Sequence, residues 1–349
     1  MKNTKIHLNI PYPSRWWQPG LLVALLLLWF ICPGQAWALT FPKPLIEPMW
    51  LYEHLNEVVI LDVRDDPESF LGRRRTQSGK VFNPCGVTAV RWDAPVFGHI
   101  PGAVLIPWSE IMVERRMEGD TLQQMVPDPQ AFQALMRRAG VNNDSAVVIV
   151  GRGMSDPQMA MATRLFWTMR YYGHTNLALL NGGTSGWIAK NRRIRFNNPQ
   201  PKPGNFTVKP DNTALLATTA EMEQFVKNGS WQIVDVRGRD YFEGLARVDK
   251  WVSSNGEGHI PTARHLPVAS LMRTTKGPAI FLHPQEIKAI ANKHQVSTTE
   301  PTAFYCNVGL QGSLAWFIWH EILGNHQTRL YDGSMHAWSR NPDREVEGF

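Results

Sequence analysis

Ile60-Leu61-Asp62-Val63-Arg64 returns as Ile233-Val234-Asp235-Val236-Arg237, and this recurrence decides the architecture. Working outward from it, Gly98-His99-Ile100-Pro101-Gly102-Ala103 returns as Gly258-His259-Ile260-Pro261-Thr262-Ala263. The run Ala146 to Gly151 matches Pro301 to Cys306 as a short apolar strand ending at a turn. Leu180-Asn181-Gly182-Gly183, followed by Trp187, matches Tyr331-Asp332-Gly333-Ser334, followed by Trp338. The matches keep one order at offsets of 173, 160, 155 and 151, so the chain is an internal duplication whose first copy has the longer connections.

Within each copy, strand-like runs alternate with helical patterns. Asp128-Pro129 predicts a helix start with a capping side chain and an N1 proline; Phe132, Leu135, Met136 and Ala139 form its apolar stripe and Gly140 ends it. Thr218-x-x-Glu221 is a capping box before Met222, Phe225 and Val226, closed by Asn228-Gly229. His283-Pro284 precedes Ile287, Ile290 and Ala291 in a similar way. Short apolar strands separated by such helices predict an α/β fold: two tandem domains, each a parallel sheet flanked by helices. In that architecture ligands sit at the carboxyl ends of strands. Pro199, Pro201, Pro203 and Gly204 favour extended chain, so residues 199–210 read as a linker between domains at 39–198 and 211–349.

The first 38 residues read as a secretory signal. Lys2, Lys5 and Arg15 precede the apolar run Leu21 to Ile31, and Ala36-Trp37-Ala38 supplies small residues for cleavage. The run is short for a bilayer span. The expected location is therefore the periplasm, with an outward-facing membrane anchor as the alternative. Cys32 follows no lipobox pattern and leaves with the signal. The whole chain carries a net charge of +6. Without the three basic residues of the signal, where no acid stands, 33 basic face 30 acidic residues, too even a balance to argue for nucleic acid. Arg73, Arg74 and Arg75 read as part of a solvated insertion, Gly72 to Phe97, present in the first copy only.

Export leaves Cys85 and Cys306, which make no disulfide framework and no metal-ligand spacing; no cofactor or metal is expected. Cys306 directly follows the strand Ala303-Phe304-Tyr305. Asn307-Val308-Gly309-Leu310-Gln311-Gly312 then leads into the apolar helix Ser313 to Ile318. Two glycines let the connection curl with its N–H groups inward, and the helix terminus adds partial positive charge. A thiol there is expected to ionise below its usual value of about 8.5, and the same N–H groups can hold an anionic outer sulfur. A buried structural cysteine is the alternative reading of the residues alone.

The strand–Cys–loop–helix, with Asp-Val-Arg and Gly-His-Ile-Pro upstream and Tyr-Asp-Gly-Ser downstream, resembles the tandem rhodanese family of sulfurtransferases, over nearly all the chain after residue 38. The resemblance implies two rhodanese domains, the first inactive because Gly151 stands where the second has Cys306. It implies that Cys306 takes sulfane sulfur as a persulfide and passes it on, with residues Asn307, Val308, Gly309, Leu310, Gln311 and Gly312 as the cradle. It gives Asp235 and Arg237 a structural, loop-anchoring role. Small sulfur donors and a thiol or cyanide acceptor are the implied partners, with a periplasmic protein partner as a further possibility.

Departures from the family pattern bear on the donor. Thiosulfate-using members resemble Cys-Arg-Lys-Gly-Val-Thr at the loop, where Asn307 and Val308 stand here, both uncharged. Mercaptopyruvate-using members place an arginine just before the aromatic that matches Phe242; here Tyr241 fills that place, with Arg239 two residues earlier as the candidate for donor binding. Met335 stands where many members have tryptophan. A tyrosine phosphatase, which shares the Cys-loop idea, needs an arginine six places after the cysteine; position 312 is glycine, which excludes it. Besides a sulfurtransferase, the chain could be a sulfur-delivery protein, or a scaffold whose folded surface serves for docking. A scaffold needs no Cys306 loop. His99 and His259 read as packing residues in turns, and Trp187 and Trp338 as packing residues near the return to the sheet.

Overall fold

The computed structural model describes residues 39–73, 96–117, 119–274 and 277–348. Residues 1–38, read above as a signal, and Cys32, Arg74, Arg75 and Cys85 lie outside these residues. The strands are β1 (Leu45–Ile46), β2 (Val59–Arg64), β3 (Val104–Pro107), β4 (Val113–Met117), β5 (Asp120–Met125), β6 (Val147–Val150), β7 (Leu177–Leu180), β8 (Gln232–Asp235), β9 (Arg264–His265), β10 (Met272–Arg273), β11 (Ile280–Phe281), β12 (Thr302–Tyr305) and β13 (Thr328–Leu330). The first half forms a five-stranded sheet in the order β1-β7-β6-β2-β3, the second a four-stranded sheet in the order β13-β12-β8-β9. All neighbours in both sheets are parallel. A parallel bridge from Leu216 to Leu330 supplies in the second half what β1 supplies in the first.

The helices are α1 (Pro48–Glu53), α2 (Pro67–Phe70), α3 (Pro129–Arg138), α4 (Asp156–Tyr171), α5 (Gly183–Ala189), α6 (Thr219–Asn228), α7 (Arg239–Phe242), α8 (Pro284–Lys293), α9 (Leu310–Phe317) and α10 (Ser334–Trp338). β6, β7 and β12 are buried along their full length because helices cover both faces of the sheets. The Thr218–Glu221 capping box forms. Asp128 does not cap α3; its carboxylate pairs with Arg115 at 3.0 Å instead, so Pro129 alone marks that start. A salt bridge to a nearby guanidinium has displaced the bond to the helix amides.

α4 and α9 pack against each other between the two sheets, and one apolar core runs through both halves. That place explains why α4 is buried nearly all round, its polar residues Asp156, Gln158, Thr163, Arg164 and Thr168 included. Residues 199–210 are laid against the first half rather than slack: Gly204 N–H donates to Arg137 O and Phe206 N–H to Val141 O.

Two hairpins cross between the halves. β4-β5 of the first half reaches the second through Gln123 N–H to His336 Nε2 (3.0 Å) and Val126 N–H to Asp332 Oδ2 (3.0 Å). β10-β11 of the second reaches back through Ala279 N–H to Gly153 O (2.7 Å) and Phe281 N–H to Asn181 Oδ1 (3.1 Å).

Candidate active site

Cys306 is a buried thiol at the carboxyl end of β12, the second strand of its sheet. Gly309 is the one position in the following loop that needs glycine's freedom, with φ of 74°. A Cβ there would also lie 2.7 Å from Asp332 and 2.9 Å from Arg164 Nη1. Gly312, expected to help curl the loop, lies inside α9 instead. It is small for packing, since its Cβ would meet the Leu330 side chain at 2.7 Å. The first-turn amides of Leu310, Gln311 and Gly312 have no carbonyl within the helix to bond, which leaves them directed at the loop.

The loop is fastened from below by α10. Met335 N–H donates to Cys306 O (3.0 Å) and His336 N–H to Asn307 O (2.9 Å). Ser334, itself at φ of 50°, accepts the N–H of both Cys306 (3.1 Å) and Gly309 (3.0 Å) on Oγ and donates to Tyr331 O. The Gly309 N–H is therefore spent on the loop's own scaffold, not on an incoming sulfur. The whole run Cys306 to Gln311 is buried. Desolvation there disfavours the thiolate, and positive charge must offset it.

Arg237 supplies such charge. Its guanidinium pairs with Asp235 at 3.0 Å, donates to Gly258 O at 2.6 Å and donates from Nη1 to Asn307 Oδ1 at 3.2 Å. Burial opposes its charge, but Asp235 foremost, then Tyr305 and Cys306, hold its pKa above the usual arginine value. Burial and the Asp235 carboxylate keep Tyr305 a phenol, its hydroxyl accepting from Ile260 N–H. The Asp-x-Arg spacing thus lets one guanidinium grip the Gly-His turn and the Cys306 loop together. In the first half Arg64 grips Asp62 and Gly98 O in the same way but turns Nη1 to Ser69.

His99 and His259 stack on Phe70 and Phe242 at 3.9 and 3.7 Å, as packing residues in turns. Trp187 and Trp338 are buried and donate to Arg193 O and Glu345 O. Arg239 stands outside the buried cluster, 71% exposed on α7 and paired with Glu243.

The first half keeps the scaffold without the nucleophile. Thr184 N–H to Gly151 O and Ser185 N–H to Arg152 O repeat the fastening of Cys306 and Asn307. Gly183 stands where Ser334 stands, with φ of 55°, and brings no hydroxyl. A Cβ on Gly151 would lie 2.5 Å from Gln158 O, so the position does not admit cysteine as it stands. Arg152 is held near Asp65 and Asp66 at 3.9 and 4.0 Å.

Ser334, Asp332 and Arg164 are site residues the sequence reading missed. Ser334 had a signal, being a non-glycine where the other copy has glycine before a helix. Arg164 had another, a cation in the middle of a helix with Met161, Leu165, Phe166 and Trp167 as its apolar neighbours.

Comparison with known proteins agrees with this fold. The Rhodanese-like domain family matches residues 47–190 and 218–341. A sulfur carrier protein, TtuD of Thermus thermophilus, is 26% identical over 305 residues, 85% of this chain and 94% of that protein. A thiosulfate sulfurtransferase of Corynebacterium glutamicum is 29% identical over 255 residues, 72% of this chain and 80% of that protein. Among solved structures, the Escherichia coli 3-mercaptopyruvate sulfotransferase SseA shares the fold with a TM-score of 0.65, at 23% identity, covering 84% of this chain and 98% of its own. The chain belongs to the rhodanese family, as a tandem of two rhodanese-like domains with the strand-end cysteine in the second.

Proposed function

We propose that the protein is a rhodanese-type sulfurtransferase in which Cys306 carries the sulfur. The observation that supports this most is the convergence on one thiol of a strand end, the first-turn amides of α9 and the Arg237 guanidinium. The thiolate attacks the transferable sulfur of a donor; the bond joining that sulfur to the rest of the donor breaks (sulfur–sulfur in thiosulfate or a persulfide, carbon–sulfur in mercaptopyruvate). The remainder leaves with the electron pair, as sulfite, a thiolate or the pyruvate enolate, which takes up the thiol proton. The resulting Cys306 persulfide anion is held by the same N–H groups and cation. A thiol or cyanide acceptor then takes the outer sulfur, and Cys306 leaves as thiolate. No net oxidant is consumed.

Thiosulfate, mercaptopyruvate and a persulfide remain the donor classes, with the neutral Asn307 and Val308 arguing against thiosulfate as the favoured one. The signal-like segment 1–38 supports a periplasmic location. The sulfur carrier among the relatives supports a second reading, delivery to a docked protein without fast turnover. Rates separate the two. Catalysed transfer to cyanide over many turnovers supports the enzyme; a persulfide that forms but leaves only once supports the carrier.

A further inference from the structure

Arg164 lies in the middle of α4, in the half that lacks the nucleophile, yet its fully buried guanidinium ends at the Cys306 loop. Nη1 pairs with Asp332 Oδ1 and points at Gly309 O, 3.4 Å away. Nε and Nη2 have no hydrogen-bond partner among the described residues, and the guanidinium lies 4.9 Å from the Trp167 ring. A buried cation kept with two unsatisfied N–H groups is costly. Packing alone does not account for it, because an apolar residue would fill the same place in this core more cheaply.

We propose that Arg164 is a positioning residue for sulfur transfer: it holds the Gly309 turn and balances the Asp332 carboxylate behind the loop, so that Cys306 can bear negative charge. The nucleophile-free half is then part of the active site of the other half. This rests on reading Cys306 as the sulfur carrier. Charged and titratable groups near the Cys306 loop are Asp235 at the end of β8 and Arg237 just after it, Tyr305 on β12, Asp332 after β13, His336 on α10, and Arg164 and Asp156 on α4. Asp156 accepts from Gln311 Nε2 at 3.2 Å, and burial raises its pKa. Asp235 and Arg237 pair with each other and Tyr305 is a phenol. His336 is neutral, since its Nε2 accepts from Gln123 N–H while Nδ1 donates to Trp251 O. Asp156 sits on the Gln311 side-chain amide and is the same in every variant compared, so the change in charge balance read in them is that of Arg164 against Asp332.

The first half gives a same-shaped test of that balance. Asn181 occupies the place of Asp332 and accepts the Phe281 N–H as Asp332 accepts that of Val126. Asp332→Asn should therefore fold and keep its backbone bond while removing the carboxylate charge. The readout is the pH midpoint of iodoacetamide alkylation at the Cys306 peptide, followed by mass spectrometry, which needs no sulfur donor. Arg164→Met is expected to raise the midpoint by about one pH unit, because Asp332 is left uncompensated. Asp332→Asn is expected to lower it, and the double variant to return it close to the wild-type value. Arg164→Lys, which keeps the charge, should stay within a few tenths of a unit.

A loop merely loosened by mutation would give a double variant no better than Arg164→Met, and that result overturns the proposal. If Arg164→Met does not fold, Asp332→Asn decides alone: an unmoved midpoint there overturns it. Failure of the underlying reading would look different, as an absence of any sulfur gain on Cys306 in the wild-type protein.

Discussion

Val126 donates its backbone N–H to Asp332 Oδ2 at 3.0 Å, from the β4-β5 hairpin of one half to the strand end of the other. Its counterpart, Phe281 to Asn181 at 3.1 Å, runs in the opposite direction across the same interface. Each half thus closes the last loop of its neighbour with one backbone amide. Only one of the two acceptors carries a charge, and that one lies beside the cysteine.

Ser334 is the next residue to test. Its Oγ takes the amides of Cys306 and Gly309, so Ser334→Gly leaves two buried N–H groups without that acceptor, at a cost of about 2 kcal/mol or more. Glycine keeps the φ of 50°, as Gly183 does in the other half, so the effect reports the hydroxyl and not backbone strain. Sulfur transfer is expected to fall at least tenfold, by about the same free energy. A variant with wild-type transfer and an unchanged unfolding midpoint would show that the hydroxyl does not shape the loop.

Gly309→Val tests the turn itself. A β-branched residue resists φ of 74°, and its Cβ would press on Asp332 and Arg164. The expected loss is about 3 kcal/mol of stability, measured by denaturant unfolding, together with a raised alkylation midpoint for Cys306. Unfolding like that of wild type would mean that the turn tolerates a side chain and the loop is more plastic than described.

The donor prediction carries a cost that the geometry adds. Replacing Asn307 with Arg and Val308 with Lys should lower the KM for thiosulfate by placing cations near a dianion. Both positions are buried, and Asn307 accepts from Arg237 Nη1, so the double variant should also melt lower than wild type. Steady-state kinetics and a thermal scan read both effects. A thiosulfate KM that does not fall would remove the loop charge as the determinant of donor choice.

Acid should weaken the contact between the halves. Glu321 accepts from Arg170 Nε at 3.0 Å and from Nη2 at 2.9 Å. Burial raises the Glu321 pKa, but the bonds from His320 and Arg170 and their charge outweigh it, so the folded value lies below the usual 4.5. A depressed carboxylate contributes stability above the unfolded value and loses it as pH falls through the folded one. Unfolding free energy should therefore decline as pH drops from about 5, and Glu321→Gln should flatten that decline. Equal acid slopes in the two proteins would show that the pair adds nothing to pH dependence.

The duplication made most of the fold readable, since two copies of Asp-Val-Arg, Gly-His-Ile-Pro and a strand-end turn fix which strands lie together. Thr218-x-x-Glu221 worked as a capping box because both partners are local. Asp128 failed because Arg115, which β4 brings within 3.0 Å, competes for its carboxylate. The same reason governs the site. Cys306 and its loop follow from neighbours in sequence, whereas Arg164 is joined to Gly309 only by the packing of α4 on α9, which no local pattern contains.

The central claim is that sulfur travels on Cys306, and intact-mass analysis tests it most directly. Purified protein is exposed in turn to thiosulfate, mercaptopyruvate and a low-molecular-weight persulfide, weighed, then treated with cyanide and weighed again. The wild-type chain should gain one sulfur atom from at least one donor and lose it to cyanide. Cys306→Ser should do neither, and Cys85→Ser should behave as wild type. A Cys306→Ser chain that still gains and gives up sulfur at the wild-type rate would contradict the account.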